Sequence, residues 1–282
     1  MNAEQIVHLN GEFLPITQAK VSVLDRGFIY GDGVYEVVPV YSRRPFRMPQ
    51  HLARLQYSLD GVRMRNPHDD ARWQALIGEL IARQPFDDQA VYLQITRGVA
   101  KRDHAFPAGV PPTVFMMSNP LTVPSREQVE RGVAVVTAVD NRWHRCDLKT
   151  TSLLGNVLMR QLAADADAAE TVMFRDGMLT EASASNVLVV RNGTVLAPPK
   201  DNMILPGITY DAALEFTRAA GVPLEVRPVT REEALGADEM WLSSSTKEVI
   251  AVTRVDGAPF AAGVPGPVFR RVHAAFQRAK GG

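Results

Sequence analysis

The sequence predicts a mixed α/β protein of two domains, on three observations. The chain has 282 residues and a mass of 31.0 kDa, which suits one or two domains. Short runs rich in β-branched and aromatic residues alternate with segments whose leucines repeat at helical spacing. A segment at 119–124 contains two prolines, which cannot continue a helix or a central strand. We therefore predict a small N-terminal α/β domain at 1–118, a linker at 119–124 and a larger C-terminal domain at 125–282.

The elements predicted in the first domain follow from these patterns in chain order. Residues 34–41 are rich in valine and tyrosine and predict a strand, and the turn at 42–45 leads to a second one. Leu52, Leu55 and Leu59 lie on one face of a predicted helix. The predicted strands are 34–41, 46–48, 90–97 and 113–117, and the predicted helices are 50–61 and 70–83.

The second domain carries clearer signals for where its elements end. Gly221 with Pro223 just beyond it predicts the end of a helix, and Asn192-Gly193 predicts a turn between strands. Thr230 with Glu233 resembles a capping box, the pair of side chains that closes a helix start. The predicted strands are 132–139, 171–174, 187–190, 239–243 and 249–255, and the predicted helices are 153–165, 210–220 and 269–280.

Composition and charge exclude some classes of function. Lysine plus arginine equals aspartate plus glutamate, at 31 each, so the net charge of zero argues against binding to nucleic acid or to an anionic membrane. The single cysteine, Cys146, rules out a disulfide within the chain and fits a reducing cytoplasm. The N-terminus lacks the pattern of a signal peptide, and no apolar run reaches the roughly 20 residues that span a bilayer. We expect a cytoplasmic enzyme or binding protein, and we predict no metal site.

Two residues could carry covalent or acid–base chemistry. Lys149 precedes an apolar helix, and a lysine attacks an aldehyde when burial or nearby positive charge, here Arg142 or Arg145, lowers its pKa. Its alternative is a solvated surface charge. Glu181 is followed by small hydroxyl residues that leave room for a ligand, or that simply form local hydrogen bonds.

Other segments could bind a phosphate. Gly207 precedes a helix whose first amide groups could hold an anion, although Thr209 could instead be only an N-cap. The serines at 243–245 could add hydroxyl donors, or could form a polar turn. Arg54 is either a bidentate phosphate ligand or a surface arginine whose stem packs on the core. Tyr35 follows the glycine-rich run Gly31–Gly33, and the segment with Arg102 and His104 has the composition of an exposed basic loop. Neither pattern by itself is specific for a function.

In combination these segments resemble the fold-type IV pyridoxal-phosphate enzymes, and within them the bacterial D-amino acid aminotransferases. The resemblance covers nearly the whole chain, in several blocks that keep one order, and it implies that the larger C-terminal domain is β-barrel-like with helices. The blocks are DRGFIYGDGVYEVV from Asp25, HLARL from His51, TRGVAKRDHAFP from Thr96, RWHRCDLK from Arg142, TEASASNV from Thr180, NMILPGIT from Asn202 and SSSTKE from Ser243.

The resemblance implies that the cofactor is pyridoxal 5'-phosphate, carried on the amine of Lys149. Lys149 is then also the catalytic residue that moves the substrate proton, and Glu181 pairs with the pyridine nitrogen of the cofactor. The resemblance implies that the phosphate is held by Arg54, Thr209, Ser245 and the backbone at Ile208, with Leu205 against the ring and Ser244 nearby. Ser245 stands where a threonine is common, and its hydroxyl keeps the function.

The same resemblance assigns a trap for the α-carboxylate of the substrate to Tyr35, Arg102 and His104, which we call the carboxylate trap. An arginine fork with two further donors suits a carboxylate. In the family Tyr35 comes from one subunit and the other two residues from its partner, so a homodimer is implied. The implied reaction is a ping-pong transamination between a D-amino acid such as D-alanine and a 2-oxo acid such as 2-oxoglutarate, through pyridoxamine phosphate.

Three alternatives remain open from the sequence. An L-branched-chain or (R)-amine transaminase of the same fold would share Lys149, Glu181 and the phosphate ligands, and Arg102 with His104 discriminates against both. An aminodeoxychorismate lyase would need no amino acceptor. A protein that only stores pyridoxal phosphate would have no use for the carboxylate trap.

Overall fold

The computed structural model describes residues 5–281 and divides the chain into two compact units. Among the described residues, unit 1 comprises 5–121 and 148–153, and unit 2 comprises 122–147 and 154–281. The chain passes from unit 1 to unit 2 within the segment predicted as the linker. Residues 148–153, predicted with the second domain, return to unit 1. The division into an N-terminal domain, a linker and a C-terminal domain stays a prediction.

Unit 1 is built on six antiparallel strands that form one sheet. They are β1 (Ile6–Leu9), β2 (Glu12–Pro15), β3 (Gly33–Tyr41), β4 (Arg44–Pro45), β5 (Gln89–Thr96) and β6 (Thr113–Pro120). Their order is β2-β1-β6-β5-β3-β4. Val34, Val38 and Val40 alternate along β3 and join the core. Glu36 occupies the same face of β3 and is also buried.

The helices of unit 1 are α1 (Arg26–Tyr30), α2 (Met48–Gly61) and α3 (Asp70–Ala82), and a short 3₁₀ helix covers Ile16–Gln18. Helices α2 and α3 cover the apolar face of the sheet. Leu52, Leu55 and Leu59 of α2 pack in the core with Trp73 and Leu76 of α3. The leucine spacing therefore predicted the buried face of α2 correctly. Arg54, on the flank of this face, is buried as well.

Unit 2 contains nine strands in one mixed sheet. They are β7 (Val133–Val139), β8 (Glu170–Arg175), β9 (Met178–Ala182), β10 (Asn186–Arg191), β11 (Thr194–Ala197), β12 (Leu224–Val226), β13 (Glu239–Ser244), β14 (Glu248–Val255) and β15 (Ala258–Pro259). Their order is β12-β11-β10-β13-β14-β7-β8-β9, and β15 pairs with β14. Because β9 at one end of this order also contacts β10, the sheet curls on itself, as the predicted barrel-like character requires.

Five helices belong to unit 2. They are α4 (Arg126–Arg131), α5 (Leu154–Asp165), α6 (Ile208–Ala219), α7 (Arg231–Leu235) and α8 (Pro267–Gly281). The capping box predicted at Thr230 is confirmed at the start of α7. Gly221 follows α6 with φ of +65°, the left-handed conformation that glycine adopts without strain. No helix within residues 5–281 combines the length and the apolar character of a membrane span.

The predicted mixed α/β fold is confirmed, with one strand placed wrongly. Residues 46–48 were predicted as a strand, but the strand after the turn is only Arg44–Pro45, and Met48 already begins α2. Pro49 favours this early start because a proline fits the first turn of a helix, where its missing N–H costs no bond. The sequence patterns also missed the short strands β1, β2, β9, β11, β12 and β15 and the short helices α1 and α4.

Candidate active site

Lys149 lies in unit 1 and is held against β3. The backbone N–H of Tyr35 donates to the carbonyl of Lys149 at 3.0 Å, and the N–H of Lys149 donates to Ser58 Oγ at 3.1 Å. Its Nζ lies 4.1 Å from the centre of the Tyr35 ring, within cation–π distance. Both the backbone and the amine of Lys149 are thus fixed by named neighbours, unlike those of a solvated surface lysine.

Arg54 is buried and paired with Glu36. Its Nε and Nη2 donate to the two carboxylate oxygens of Glu36 at 2.8 and 2.9 Å, and His51 Nδ1 lies 2.8 Å from Glu36 Oε2. Burial would raise the pKa of Glu36, but Arg54 and His51 together hold that pKa well below its usual range. The alternative of a surface arginine is therefore wrong, because the guanidinium itself is inside the protein.

His51 presents one ring nitrogen with no internal partner. Burial lowers the pKa of His51, and the nearby charges of Arg54 and Lys149 add to this against the raising effect of Glu36. Its Nε2 is buried and has no hydrogen-bond partner among residues 5–281. A buried polar atom of this kind marks a position where a polar ligand group is expected.

The three residues of the predicted carboxylate trap do not come together within one chain. Arg102 and His104 are exposed and both lie against the ring of Tyr30, at 5.4 and 5.5 Å from its centre. Tyr35 instead stacks at 5.6 Å from Tyr92 and carries Lys149 above its ring. In the described part of the chain Tyr35 makes no hydrogen bond, ion pair or ring contact with Arg102 or His104.

Glu181 lies at the end of β9 in unit 2 and is surrounded by donors. Arg142 Nη1 donates to its Oε1 at 2.6 Å, while the backbone N–H of Leu205 and Asn186 Nδ2 donate to its Oε2 at 3.0 and 3.2 Å. Burial nevertheless raises the pKa of Glu181 to about 7, against the lowering effects of Arg142 and Leu205. A carboxylate has about four acceptor positions, so these three bonds leave room for one further donor.

Arg142 is itself held by a buried network that the sequence did not reveal. Its Nη2 lies 2.9 Å from Asp140 Oδ2, Arg175 contacts the same carboxylate at 3.0 Å, and Thr180 Oγ1 donates to it at 2.8 Å. Although burial raises the pKa of Asp140, the bonds from Arg142 and Thr180 lower it to about 2. Arg142 therefore bridges two carboxylates, and its charge is committed to Asp140 and Glu181.

The predicted phosphate ligands on α6 lie at an open helix start. Gly207 is the N-cap of α6, and no side chain caps the helix, so the first amide groups point toward a potential anion. Thr209 is the second helical residue and not the N-cap, which removes that alternative. A Cβ at Gly207 would stand 2.0 Å from Asn186 Oδ1. Leu205, just ahead, links this helix start to Glu181 through its N–H.

Ser244 and Ser245 lie where β13 turns toward β14. Ser244 Oγ accepts a bond from the N–H of Lys247 at 3.0 Å, which shapes the turn, and Ser245 is partly exposed. The neighbouring Ser243 Oγ is buried without a partner among the described residues. Lys247 Nζ lies 2.7 Å from the buried Glu170, which also accepts the hydroxyls of Ser183 and Ser185.

Sequence reasoning missed the partners that orient these residues, although some left a signal. Glu36 and His51 both sit inside motifs with Tyr35 and Arg54, and a glutamate on the valine face of β3 is a charge at a core position. Arg142 was noted only as a positive charge near Lys149 in sequence, but it pairs with Glu181. Asn186 closes the motif that begins with Thr180 and gave no separate signal.

The comparisons with known proteins cover nearly the whole chain. Residues 33–255 match the family described as Amino-transferase class IV. The chain is 38% identical over 271 residues to the D-alanine aminotransferase of Bacillus licheniformis, covering 96% of this chain and 95% of that protein. It is 35% identical over 272 residues to the D-alanine aminotransferase of Listeria monocytogenes serotype 4b, covering 96% and 94%.

Solved structures agree with this assignment at the level of fold. The branched-chain amino acid aminotransferase of Escherichia coli superposes with a TM-score of 0.92 at 25% identity, covering 98% of this chain and 94% of that chain. A fold IV transaminase from Curtobacterium pusillum gives a TM-score of 0.81 at 24% identity, covering 94% and 92%. The predicted fold type is thus confirmed, and the chain belongs to the class IV aminotransferase family.

Proposed function

We propose that this protein transfers an amino group between a D-amino acid, such as D-alanine, and a 2-oxo acid, such as 2-oxoglutarate. The observation that carries the proposal is the near full-length identity of 38% to a D-alanine aminotransferase. The presence of Arg102 and His104 on an exposed loop supports it further, because the resemblance ties these two residues to D-amino acid substrates.

The residues present fit pyridoxal 5'-phosphate, the cofactor of class IV aminotransferases. The aldehyde of this cofactor reacts with an amine, its pyridine nitrogen pairs with a buried carboxylate, and its phosphate is bound by oriented hydrogen-bond donors. Lys149 supplies the amine and Glu181 the carboxylate. The uncapped start of α6 and the orphaned Ser243 Oγ and His51 Nε2 are polar groups of the type that a bound ligand would satisfy.

Each residue has a separate task toward the cofactor. We assign the phosphate to Arg54, Thr209, Ser245 and the backbone of Ile208, and the ring face to Leu205 with Ser244 nearby. Glu36 would set the plane of the Arg54 guanidinium, since two hydrogen bonds fix its orientation. Arg142 and the Leu205 N–H lower the pKa of Glu181 against the effect of burial, and would favour its ionised form beside a protonated pyridine nitrogen.

Proton transfer is assigned to Lys149. When bound, pyridoxal 5'-phosphate supplies an aldehyde for the amino group and a ring that withdraws electrons from the substrate Cα. Lys149 would hold the proton taken from Cα and deliver it to C4' of the cofactor. The Tyr35 ring at 4.1 Å from Nζ limits where that amine can move.

The carboxylate trap would determine which enantiomer of the substrate reacts. A carboxylate bound by Arg102, His104 and Tyr35 fixes one of the groups around Cα, so the hydrogen of only one enantiomer faces Lys149. Since Tyr35 does not meet the other two residues within the chain, we propose a homodimer in which the partner supplies them. Exposed apolar side chains on α5 suit such an association, among them Leu154 at 72% and Leu158 at 56% exposure. We place the reaction in the cytoplasm, where the lone cysteine stays reduced.

The test is a stereochemical assay of the purified protein with pyridoxal 5'-phosphate. D-alanine with 2-oxoglutarate should give pyruvate and D-glutamate, and L-alanine or L-leucine should give at least a hundredfold less product. L-glutamate from L-leucine would instead identify a branched-chain aminotransferase. Pyruvate formed from aminodeoxychorismate without an amino acceptor would identify a lyase. Either result would overturn the proposal.

The assignment of Lys149 is tested separately from that of the substrate. Borohydride reduction of the loaded protein followed by peptide mapping should place the cofactor on the peptide containing Lys149. Lys149→Ala should abolish turnover and this adduct, whereas Lys247→Ala, which removes another partly buried lysine, should keep the adduct. An adduct on any other residue would refute the role of Lys149.

A further inference from the structure

The Gly31-Asp32-Gly33 motif contains an aspartate that none of the roles above uses. Asp32 Oδ2 accepts hydrogen bonds from Arg26 Nε at 2.7 Å and from Arg97 Nε at 2.8 Å. All three side chains are nearly buried, at 14, 4 and 10% exposure. We call Asp32, Arg26 and Arg97 the Asp32 cluster. Because two arginines and a carboxylate lose their hydration when they are buried, this cluster needs a role other than keeping the surface soluble.

The Asp32 cluster holds the loop that carries Arg102 and His104. We call residues 98–112, which connect β5 to β6, the trap loop. Arg26 Nη1 donates to the carbonyl oxygens of Asp103 and Ala105, at 2.5 and 3.3 Å, and these two residues flank His104. The backbone N–H of Arg26 also donates to the Gly98 carbonyl at 2.9 Å, so Arg26 fixes both the base and the middle of the loop.

Arg97 secures the far side of the trap loop. Its guanidinium lies 3.7 Å from the centre of the Phe106 ring, and it donates to the carbonyls of Val62 and Arg63 at 2.8 and 3.2 Å. Arg97 therefore joins the end of α2 to the trap loop. Asp32 places one negative charge between Arg97 and Arg26 and accepts one hydrogen bond from each, and the remaining donors of both arginines bind backbone carbonyls.

Tyr30 is the surface on which the two predicted substrate ligands rest. The guanidinium groups of Arg26 and Arg102 lie 4.9 and 5.4 Å from the centre of its ring, and the His104 ring lies 5.5 Å away. The Tyr30 hydroxyl is buried and has no partner among the described residues. Tyr30 thus contributes its aromatic face to the arrangement, and the hydroxyl is dispensable for these contacts.

We propose that the Asp32 cluster and the ring of Tyr30 are positioning residues that keep the trap loop in the conformation that binds a substrate carboxylate. Exposed arginine and histidine side chains would otherwise sample many rotamers, and binding would have to order them. A loop that is already fixed at its backbone and against an aromatic ring avoids that cost. This inference rests on the proposed function, because it takes Arg102 and His104 as the carboxylate ligands.

The experiment compares variants of the loaded enzyme by substrate and by ligand. Tyr30→Leu removes the aromatic face and Tyr30→Phe keeps it. Tyr30→Leu should raise KM for D-alanine and the dissociation constant of propionate, a carboxylate without an amino group, about tenfold each, with kcat changed less than twofold. Tyr30→Phe should stay within twofold of the wild type in KM, in kcat and in the dissociation constant of propionate. Propionate binding is read from the absorbance of the bound cofactor.

A second variant and a control distinguish an effect on the trap loop from an effect on folding. Phe106→Ala truncates a half-exposed ring that contacts Arg97, so it should fold and should raise KM and the propionate constant severalfold. Phe28→Ala removes a more exposed aromatic ring of the same helix as Tyr30 and should change neither constant. Unchanged constants for both Tyr30→Leu and Phe106→Ala would overturn the inference. A wild type that binds propionate but does not transaminate D-alanine would overturn the proposed function alone.

Discussion

Arg54 and Glu36 form a buried pair in which both carboxylate oxygens accept a hydrogen bond from one guanidinium group, at 2.8 and 2.9 Å. The pair joins α2 to the core face of β3. A bidentate pair fixes the plane of the guanidinium, which a single bond would leave free to rotate. The residue proposed to bind the cofactor phosphate is thus oriented by the fold before any ligand arrives.

We predict that Glu36→Gln destabilises the cofactor-free protein by about 3–5 kcal/mol, the usual cost of leaving a buried charge without its partner. Urea unfolding measures the loss. Since a phosphate would give Arg54 a new anion, the loss should be smaller in the loaded protein. Glu79→Gln is the matched control, because its pair with Arg83 is exposed and contributes less than about 1 kcal/mol. An equal loss with and without cofactor would contradict the phosphate role of Arg54.

The sequence predicted the secondary-structure elements of this site better than the hydrogen bonds between its side chains. The leucine spacing of α2 placed Leu52, Leu55 and Leu59 in the core, but it did not show that Arg54, on the flank of that face, is buried as well. Its partner Glu36 lies 18 residues away, on a strand, so helical periodicity says nothing about the contact. The resemblance identified Glu181, but its partner Arg142 lies 39 residues away in the segment after β7, and no local pattern encodes that contact.

The short elements were missed for a related reason. Strand β12 has three residues and pairs in parallel with β11 through a connection that contains α6. Such a strand is stabilised by its neighbours more than by its own residues, so alternation over three positions gives too weak a signal. Helix α1 has five residues and owes its start to the Asp25 side chain, which accepts a bond from the N–H of Gly27.

A second prediction concerns the pH dependence of the cofactor-free protein. Burial raises the pKa of Glu181 to about 7, above the roughly 4.3 of an unfolded glutamate. Between these values the folded state keeps a proton that the unfolded state has lost, so stability falls as the pH rises. Glu181→Gln cannot titrate, and it should therefore gain stability relative to the wild type from pH 5 to pH 8, by up to about 3 kcal/mol.

Urea unfolding of both proteins at four pH values between 5 and 8 measures this gain. Glu233→Gln is the control of opposite sign. Hydrogen bonds from Arg227 and from the backbone N–H of Thr230 lower the pKa of Glu233 to about 2, so its contribution is complete above the roughly 4.3 of an unfolded glutamate and is lost only as the pH falls toward 2. The difference between Glu233→Gln and the wild type should then stay constant from pH 5 to pH 8. A constant difference for Glu181→Gln as well would show that Glu181 is ionised throughout.

A third prediction separates stability from activity at the capping boxes. Thr230 Oγ1 accepts a hydrogen bond from the N–H of Glu233 at 3.0 Å, and Glu233 Oε2 accepts one from the N–H of Thr230 at 3.0 Å. Thr230→Ala should cost about 1 kcal/mol of unfolding free energy with no change in KM for D-alanine. Ser125→Ala, at the second capping box, should behave alike. A change in KM without a loss of stability would contradict a purely structural role.

The last prediction concerns the glycine at the start of α6. A Cβ at Gly207 would stand 2.0 Å from Asn186 Oδ1 and 3.1 Å from Tyr210 Cβ. Asn186 cannot simply turn away, because its Nδ2 bonds Glu181 and the carbonyl of Leu205. Gly207→Ala should therefore shift both the helix start proposed for the phosphate and the Glu181 carboxylate. We expect the dissociation constant of pyridoxal 5'-phosphate, measured by absorbance titration, to rise at least tenfold.

Gly78→Ala is the matched substitution in the other unit. Gly78 lies exposed within α3, and a Cβ there would meet nothing within 4 Å. An alanine in the middle of a helix loses less conformational entropy on folding than a glycine, so this variant should gain about 0.5–1 kcal/mol of stability and keep its cofactor affinity. If Gly207→Ala bound the cofactor as tightly as Gly78→Ala, the close approach of Gly207 to Asn186 would have no part in cofactor binding, and the assignment of the phosphate to the start of α6 would have to be withdrawn.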